Sequence, residues 1–317
     1  MPNDTTSGAG FQGEFREHLV AGGKSPHTIK AYTQDVRLFA EWFDRTNGRG
    51  LAPGRMTPID VREYRSYLLA VKKQKPATVN RKLSSLSAFC EWAKEAGLIT
   101  ANPVDGISQV GEVRAAPKWL DKNEQYALLR AVQERGRKRD IALITLMLNT
   151  GLRVSEVSGL RVDDVTMSPR KGSVLVRGGK GEKFRTVPLN VDVRKALRAY
   201  LAERSGVEAG GYGNPPYVLG ERPGVESGEE LFVSQRGGSL QPAGRYYLVS
   251  RYAYDARLED VTPHTLRHTF GKSLVDAGVP LDRVAQLLGH ESVDTTRIYT
   301  TPRRSRLQRE VEEIALA

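Results

Sequence analysis

Apolar residues recur at three- and four-residue spacing near residues 11–22, 27–46, 57–73 and 76–96, which predicts four amphipathic helices. In the second, Ile29, Tyr32, Val36, Phe39 and Phe43 fall on one face. Its start is marked by Ser25 and Pro26, a capping side chain followed by a proline at the first helical position. Thr57-Pro58 and Lys75-Pro76 mark the next two starts, each again with a proline in the first turn. The fourth segment turns Val79, Leu83, Leu86, Phe89 and Cys90 inward, so Cys90 reads as a core thiol. These segments predict an all-helical domain over 11–104, preceded by small polar residues 1–10 that read as disordered.

Periodicity then lapses. Residues 101–118 are rich in Pro, Gly and small side chains and read as a connector, with the linker proper at 105–117. Helical spacing resumes near 121–136 and 138–149. The stretch 161–189 changes period: Val162, Val165, Val174, Val176, Phe184, Val187 and Leu189 predict three short strands. Gly178-Gly179-Lys180-Gly181 reads as the hairpin turn between the second and third. Helical spacing returns at 190–203, 242–256, 263–276, 281–288, 293–299 and 303–315, while 205–230 is Gly- and Pro-rich and reads as a long surface loop. The expected fold is mainly α with a small β-sheet: a helical domain, then an α+β domain over 118–317.

Composition narrows the class. A length of 317 residues suits two domains, and 39% hydrophobic with 27% charged residues fits neither a disordered chain nor a membrane protein. The longest clear apolar run, Ile141 to Leu148, is too short to span a bilayer. The opening MPNDTTSGAG lacks the basic and apolar regions of a secretory signal. A single cysteine excludes an internal disulfide framework and a thiolate metal cluster, which points to a reducing, intracellular setting. Lys plus Arg is 48 against 37 Asp plus Glu, a formal charge of +11. Residues 1–108 carry 15 against 11 and residues 109–317 carry 33 against 26, so neither half owns the excess. Such charge suits a polyanionic partner and equally an ordinary basic protein.

Four strings carry candidate chemistry. In Thr150-Gly151-Leu152-Arg153-Val154-Ser155-Glu156, Gly151 suits a helix end and Arg153 can pair with Glu156; a cap and a surface ion pair would explain it equally. In Gly179-Lys180-Gly181-Glu182-Lys183-Phe184-Arg185, a lysine at a flexible tip could reach a phosphate or a leaving oxygen, or be a solvated turn. In Thr262-Pro263-His264-Thr265-Leu266-Arg267-His268, the cap and proline place His264 and Arg267 near the positive end of a helix, on a face distinct from Leu266, Phe270 and Leu274. His264 and His268 at four-residue spacing could mark a metal site, but no Glu follows the H-E-x-x-H pattern. A DNA-reading helix-turn-helix over 263–288 is a further reading. Last, Gly289 ends a helix before His290, and Val293, Thr296 and Tyr299 share a face of the next. A phenol is a poor nucleophile unless cations surround it.

Taken in order, Arg153, Lys180, His264 with Arg267, His290 and Tyr299 resemble the active-site series of the tyrosine recombinase (phage-integrase-like) family. The strings TGLRVSE, GGKGEKFRTVPL, HTLRHTF, LLGH and IYT carry the resemblance, with nine residues from His290 to Tyr299. It covers nearly the whole chain and implies a helical core-binding, DNA-binding domain followed by an α+β catalytic domain. It implies a site-specific DNA recombinase acting on double-stranded DNA at a recombination site, for integration, excision or resolution of DNA elements. Tyr299 would be the nucleophile, forming a 3′-phosphotyrosyl bond. Arg153 and Arg267 would clamp the phosphate, His264 and His290 would hydrogen-bond it, and Lys180, with Lys183 as rival, would be the general acid. Glu156 would orient Arg153. The resemblance implies no metal and no cofactor. Arg81 and Lys82, on the fourth helix, are DNA-binding candidates. The amphipathic segment 303–317 would join copies into a homo-oligomer on DNA, a tetramer. The expected location is cytoplasmic and nucleoid-associated, with no membrane contact. The lack of an arm-binding domain before residue 11 suggests the simple, Xer-like two-domain type. A type IB topoisomerase-like relaxing enzyme and a non-catalytic DNA-binding regulator are the alternatives.

Overall fold

The apolar stripes of the first half become helices α1 (Gly8–Ala21), α2 (Pro26–Asn47), α3 (Pro58–Ala70) and α4 (Pro76–Glu95). The computed structural model describes residues 8–111, 117–178, 184–205, 217–218, 229–234, 238, 240, 242–290 and 292–300. Ser25 accepts a hydrogen bond from the Thr28 N–H, and Thr57 and Asp60 form a reciprocal capping box. α1 starts ahead of the apolar pattern, so residues 8–10 are helical where disorder was expected. The pattern marks where a helix packs, and a first turn with nothing to bury leaves no trace in it.

Phe15, Val36, Phe39, Phe43, Tyr64, Val79, Leu86 and Phe89 fill the core of this first unit, and Cys90 joins them with its thiol pushed towards the protonated form by burial. Residues 105–111 are not a free connector. Ile107 and Val110 pack against this core. The Asn80 amide donates to the Val110 carbonyl at 2.9 Å, and its oxygen accepts the Val110 N–H at 2.8 Å. The chain divides into two compact units, residues 1–115 and 116–317.

The second unit opens with α5 (Lys122–Glu134), α6 (Lys138–Thr150) and α7 (Val154–Ser158). Strands β1 (Val165–Met167), β2 (Gly172–Val176) and β3 (Arg185–Pro188) follow, then α8 (Val191–Arg204) and β4 (Tyr217–Val218). The sheet is antiparallel in the order β3-β2-β1-β4. Val165 faces Val174 and Val174 faces Val187, which puts the valines on the buried face and Thr166 and Leu175 on the other. β4 lies inside the segment expected to be all loop. Two strand-forming residues there meet the open edge of β1 and cover it. Val162 falls in a 3₁₀ turn and Phe184 precedes β3, so both stand outside the strands expected to hold them.

Helices α9 (Pro242–Asp255), α10 (Pro263–Asp276) and α11 (Leu281–Leu288) complete the unit, with a 3₁₀ helix at Val293–Tyr299. α6 runs through the centre: Ala142, Leu143, Ile144, Leu146 and Met147 are fully buried. In a 3₁₀ helix residues three apart eclipse one another. Thr296 and Tyr299 both face inward by this spacing, but Val293, at the first position and on the same row, is exposed. No helix among the described residues is long and apolar enough to cross a membrane.

Candidate active site

α6 ends at Gly151, whose φ of 61° is the left-handed conformation that glycine adopts without strain. A Cβ there would also lie 2.5 Å from the Phe270 ring and 2.7 Å from Leu288. The chain can therefore turn tightly beneath α10 and α11 and present Arg153 as the N-cap of α7. Glu156, one turn on, folds back. Its carboxylate accepts the Arg153 backbone N–H at 2.7 Å and the Arg153 Nη1 at 3.0 Å. Arg185 arrives from β3 and donates to both carboxylate oxygens, each at 2.8 Å. Burial alone would raise the pKa of Glu156. The hydrogen bonds and charges of Arg185 and Arg153 outweigh it and hold the carboxyl below its ordinary range.

The same arginines converge on the end of α11. The last carbonyls of a helix have no partner within it and carry partial negative charge. Arg185 Nε donates to Leu287 O at 3.0 Å, Arg267 Nη2 to Leu288 O at 2.7 Å and Arg153 Nη2 to Gly289 O at 3.0 Å. Arg267 also donates through Nη1 to Gly151 O at 2.7 Å. Three guanidinium groups, brought from α7, β3 and α10, thus occupy three successive carbonyls. Glu156 is the one carboxylate hydrogen-bonded to this cluster among the described residues. Burial, and then Arg153, lowers the pKa of Arg267 to about 10, so it stays charged at neutral pH. A partly buried surplus of cations is costly until an anion joins it.

α10 starts at a capping box of Thr262 and Thr265 with Pro263 in its first turn. His264 is exposed there, its ring 6.4 Å from that of Tyr246 on α9. Desolvation of the ring, then Arg267 and Arg153, hold it below the usual histidine range. Tyr299 is fully buried, with Gly271 beneath its ring: a Cβ at that position would stand 2.6 Å from Tyr299 Cε2. The Tyr299 Oη lies 3.0 Å from Nδ1 of His268. His290 lies nearly parallel to the Tyr299 ring, centroids 6.5 Å apart, and its Nδ1 pairs with Thr296 Oγ1 at 2.9 Å. Burial first, then Arg267 and Arg153, depress His290 to about 4. Burial raises the Tyr299 phenol above its ordinary value, although Arg267 and Arg153 pull the other way. At rest the pocket therefore holds a neutral phenol among neutral imidazoles and charged guanidinium groups.

The fold brings Arg153, Glu156, Arg267, His290 and Tyr299 into one cluster and sets His264 at its edge. Lys180 and Lys183 lie outside the described residues, as does the segment 303–317. In the first unit, Arg81 reaches back to chelate the buried Asp35, which also accepts from Ser85 Oγ at 2.9 Å. Lys82 is 5% exposed, and burial lowers its pKa. This burial does not suit the DNA contact expected of Lys82: the apolar stripe of α4 is wide and the lysine stem is drawn into it. The motif reading missed Arg185 and Gly271, weighed His268 only as half of a metal site, and used Thr296 only as a face-mate of Tyr299. Arg185 was visible inside a quoted string as a further basic residue beside the ones singled out. Gly271 carried no signal of its own. Among the described residues no group of three or more His, Cys, Asp or Glu could hold a metal ion.

A buried tyrosine seated among arginines and histidines is suited to phosphoryl transfer, and comparison with known proteins gives the class. Residues 118–306 match the phage integrase family, and residues 12–99 match its N-terminal SAM-like domain. The tyrosine recombinase XerD of Ralstonia nicotianae is 35% identical over 289 residues, 90% of this chain and 87% of that protein. The tyrosine recombinase XerC of Thermodesulfovibrio yellowstonii is 36% identical over 290 residues, covering 90% and 89%. In fold, the chain is similar to the XerH site-specific recombinase in a post-cleavage complex with its difH substrate, with a TM-score of 0.71 at 22% identity over 96% of this chain and 84% of that one. This chain belongs to the phage integrase family. It is a site-specific recombinase of the tyrosine class.

Proposed function

We propose that Tyr299 is the nucleophile that cuts duplex DNA at a recombination site. Its Oη forms a bond to phosphorus as the bond from phosphorus to the 5′-oxygen breaks, leaving a 3′-phosphotyrosyl ester and a 5′-hydroxyl. Rejoining reverses these steps, so the ester conserves the energy of the broken bond. The observation that carries this reading is the convergence of Arg153 and Arg267 on Gly289 O and Leu288 O in the cluster that holds Tyr299. Each guanidinium has five N–H donors and commits two to the contacts described, which leaves others for the non-bridging oxygens. Charge that develops on those oxygens in the transition state meets cations already fixed in place, one of them, Arg267, buried. His264 and His290 add hydrogen bonds, and Lys180 protonates the departing 5′-oxygen. Glu156 touches no substrate and positions Arg153. Tyr299 is fully buried, so a phosphodiester reaches Oη only once the phenol becomes exposed.

The DNA partner is a duplex carrying a specific site, bound by both units. Arg81 is one candidate contact, since its guanidinium is still half-exposed while paired with Asp35. The apolar spacing of Leu307, Val311, Ile314 and Leu316 supports assembly of a tetramer on DNA through 303–317. The proposed location is the cytoplasm, at the nucleoid. Nothing among the relatives favours a relaxing topoisomerase or a non-catalytic regulator.

The test is a nicked duplex selected from a random-sequence pool by adduct formation with the wild-type chain. A covalent protein–DNA adduct that disappears in Tyr299→Phe is expected, and an adduct that survives the substitution overturns the assignment. Removing residues after Pro302 should abolish assembly on that duplex; unchanged assembly sinks the oligomer proposal.

A further inference from the structure

The nucleophile's hydroxyl has a partner that the motif reading did not use. Of the three histidines around the pocket, His268 is the one with a ring nitrogen at hydrogen-bond distance from Tyr299 Oη, at 3.0 Å. The rings meet at 58° with centroids 5.7 Å apart, an approach directed from the edge of the imidazole. The contact is built into α10. His268 and Gly271 are three residues apart and share a face. The absent side chain at Gly271 lets the phenol ring lie against the helix, and this seating leaves its hydroxyl at His268. The other histidines are placed for different work. His290 spends its Nδ1 on Thr296 Oγ1 and lies nearly parallel to the phenol ring. His264 sits one turn earlier, against Tyr246.

We propose that His268 is the general base of the cleavage step, a catalytic residue that takes the Tyr299 proton on Nδ1 as Oη bonds to phosphorus. The inference rests on the reading of Tyr299 as nucleophile. The proton leaves Oη for His268, the electron pair of the former O–H bond forms the new bond to phosphorus, and the departing 5′-oxygen gains its proton from the general acid. On rejoining, His268 returns the proton to Oη as the ester breaks. The groups facing His268 are His264 and Arg267 from α10, Tyr299 from the 3₁₀ helix, and His290 after α11. Burial first, then His264 and Arg267, holds this imidazole below the usual histidine range, so at rest it is able to accept a proton. A phosphate anion beside Arg267 offsets that arginine's charge and so favours the imidazolium as it forms.

The test uses the full chain and the nicked duplex selected with wild type, read as the single-turnover rate of adduct formation. His268→Gln can still hold the phenol by a hydrogen bond but cannot take its proton. His268→Ala leaves room for a free imidazole. Both variants should bind the duplex as wild type does and form adduct about 10²-fold more slowly. Added imidazole should restore part of the rate to His268→Ala, in proportion to its unprotonated form, and should not affect wild type. A purely structural role predicts that His268→Gln recovers the rate and that imidazole does nothing; either result overturns the inference. If His268→Ala cuts as fast as wild type or faster, His268 only latches the phenol, and the inference falls while Tyr299 stands. If the wild-type adduct survives Tyr299→Phe, the nucleophile reading itself fails and takes His268 with it. Far-UV circular dichroism separates a misfolded variant from a slow one, and in that case the His268→Gln rate decides.

Discussion

Arg153 and Arg267 donate to the carbonyls of adjacent residues, Gly289 and Leu288, at the end of α11. That end therefore acts as a template that sets the spacing of two guanidinium groups coming from different parts of the chain. Helix C-termini attract cations, but a single capping charge satisfies that attraction. A third arginine, Arg185, on the next carbonyl back shows that the template also anchors the carboxylate beneath the pair.

Glu156 is the counter-charge that makes this cluster tolerable. Glu156→Ala leaves the largely buried Arg185 and the more exposed Arg153 without their carboxylate, a loss of about 3 kcal/mol, the low end for a buried pair because solvent screens Arg153. The melting temperature should fall by roughly 10 °C, and adduct formation should fall with it. Glu156→Gln keeps the shape and some acceptor capacity, so it should cost less than half as much. Differential scanning calorimetry of the two variants checks the order; equal melting points would mean the charge is unimportant.

Arg267 spans two carbonyls, Gly151 O and Leu288 O, with one planar fork. Lysine keeps the charge but loses the fork. Arg267→Lys should slow adduct formation about 10²-fold or more while binding the selected duplex within a few-fold of wild type. A rate within threefold of wild type would refute the role of the planar geometry.

Gly271→Ala sets two effects against each other. Alanine gains up to about 1 kcal/mol in helix propensity. Its Cβ, however, would press within 2.6 Å of the Tyr299 ring, and overpacking of this kind costs about 1–3 kcal/mol. The clash should win, giving a less stable protein with slower adduct formation. A stabilised variant at full rate would show that the seat is soft.

Acid should destabilise the second unit through its histidines. The unfolded chain takes up a proton at His290 as pH falls below about 6.5, whereas the folded site resists until about 4. The unfolded state then binds more protons, so stability falls as pH drops through that window, by up to about 3 kcal/mol from this residue. His264 and His268 shift in the same direction. Glu156 adds to the loss at still lower pH, where its depressed carboxyl is finally protonated. Urea midpoints at pH 7, 6 and 5 should fall in that order for wild type, and less steeply for His290→Asn. A rise in midpoint towards pH 5 would contradict the assignment.

Much of the fold was legible because its signals are local. Ser25-Pro26, Thr57-Pro58 and Thr262-Pro263 announce α2, α3 and α10 within a residue. The valines of 165–187 announce a sheet by their period of two. The strand at Tyr217–Val218 was not legible, since two residues make no period and its meaning depends on the open edge of β1. Nor was the docking of 105–111, which turns on one amide, Asn80, thirty residues away.

The sequence by itself determined where helices start and stop, which faces are apolar, and which polar residues recur in family order. Each of those is settled within a turn or two of chain, or by a string of neighbours. The tertiary structure alone decided the partners: Arg185 beneath Glu156, Lys82 turned into the first core, three arginines on one helix end, and His268 on the Tyr299 hydroxyl. Arg153 and Gly289 are 136 residues apart and His268 and Tyr299 are 31 apart. No periodicity reports a contact over such separations. It exists only because α6, α10 and α11 must bury their apolar faces together, and whatever polar groups ride on those helices are carried along.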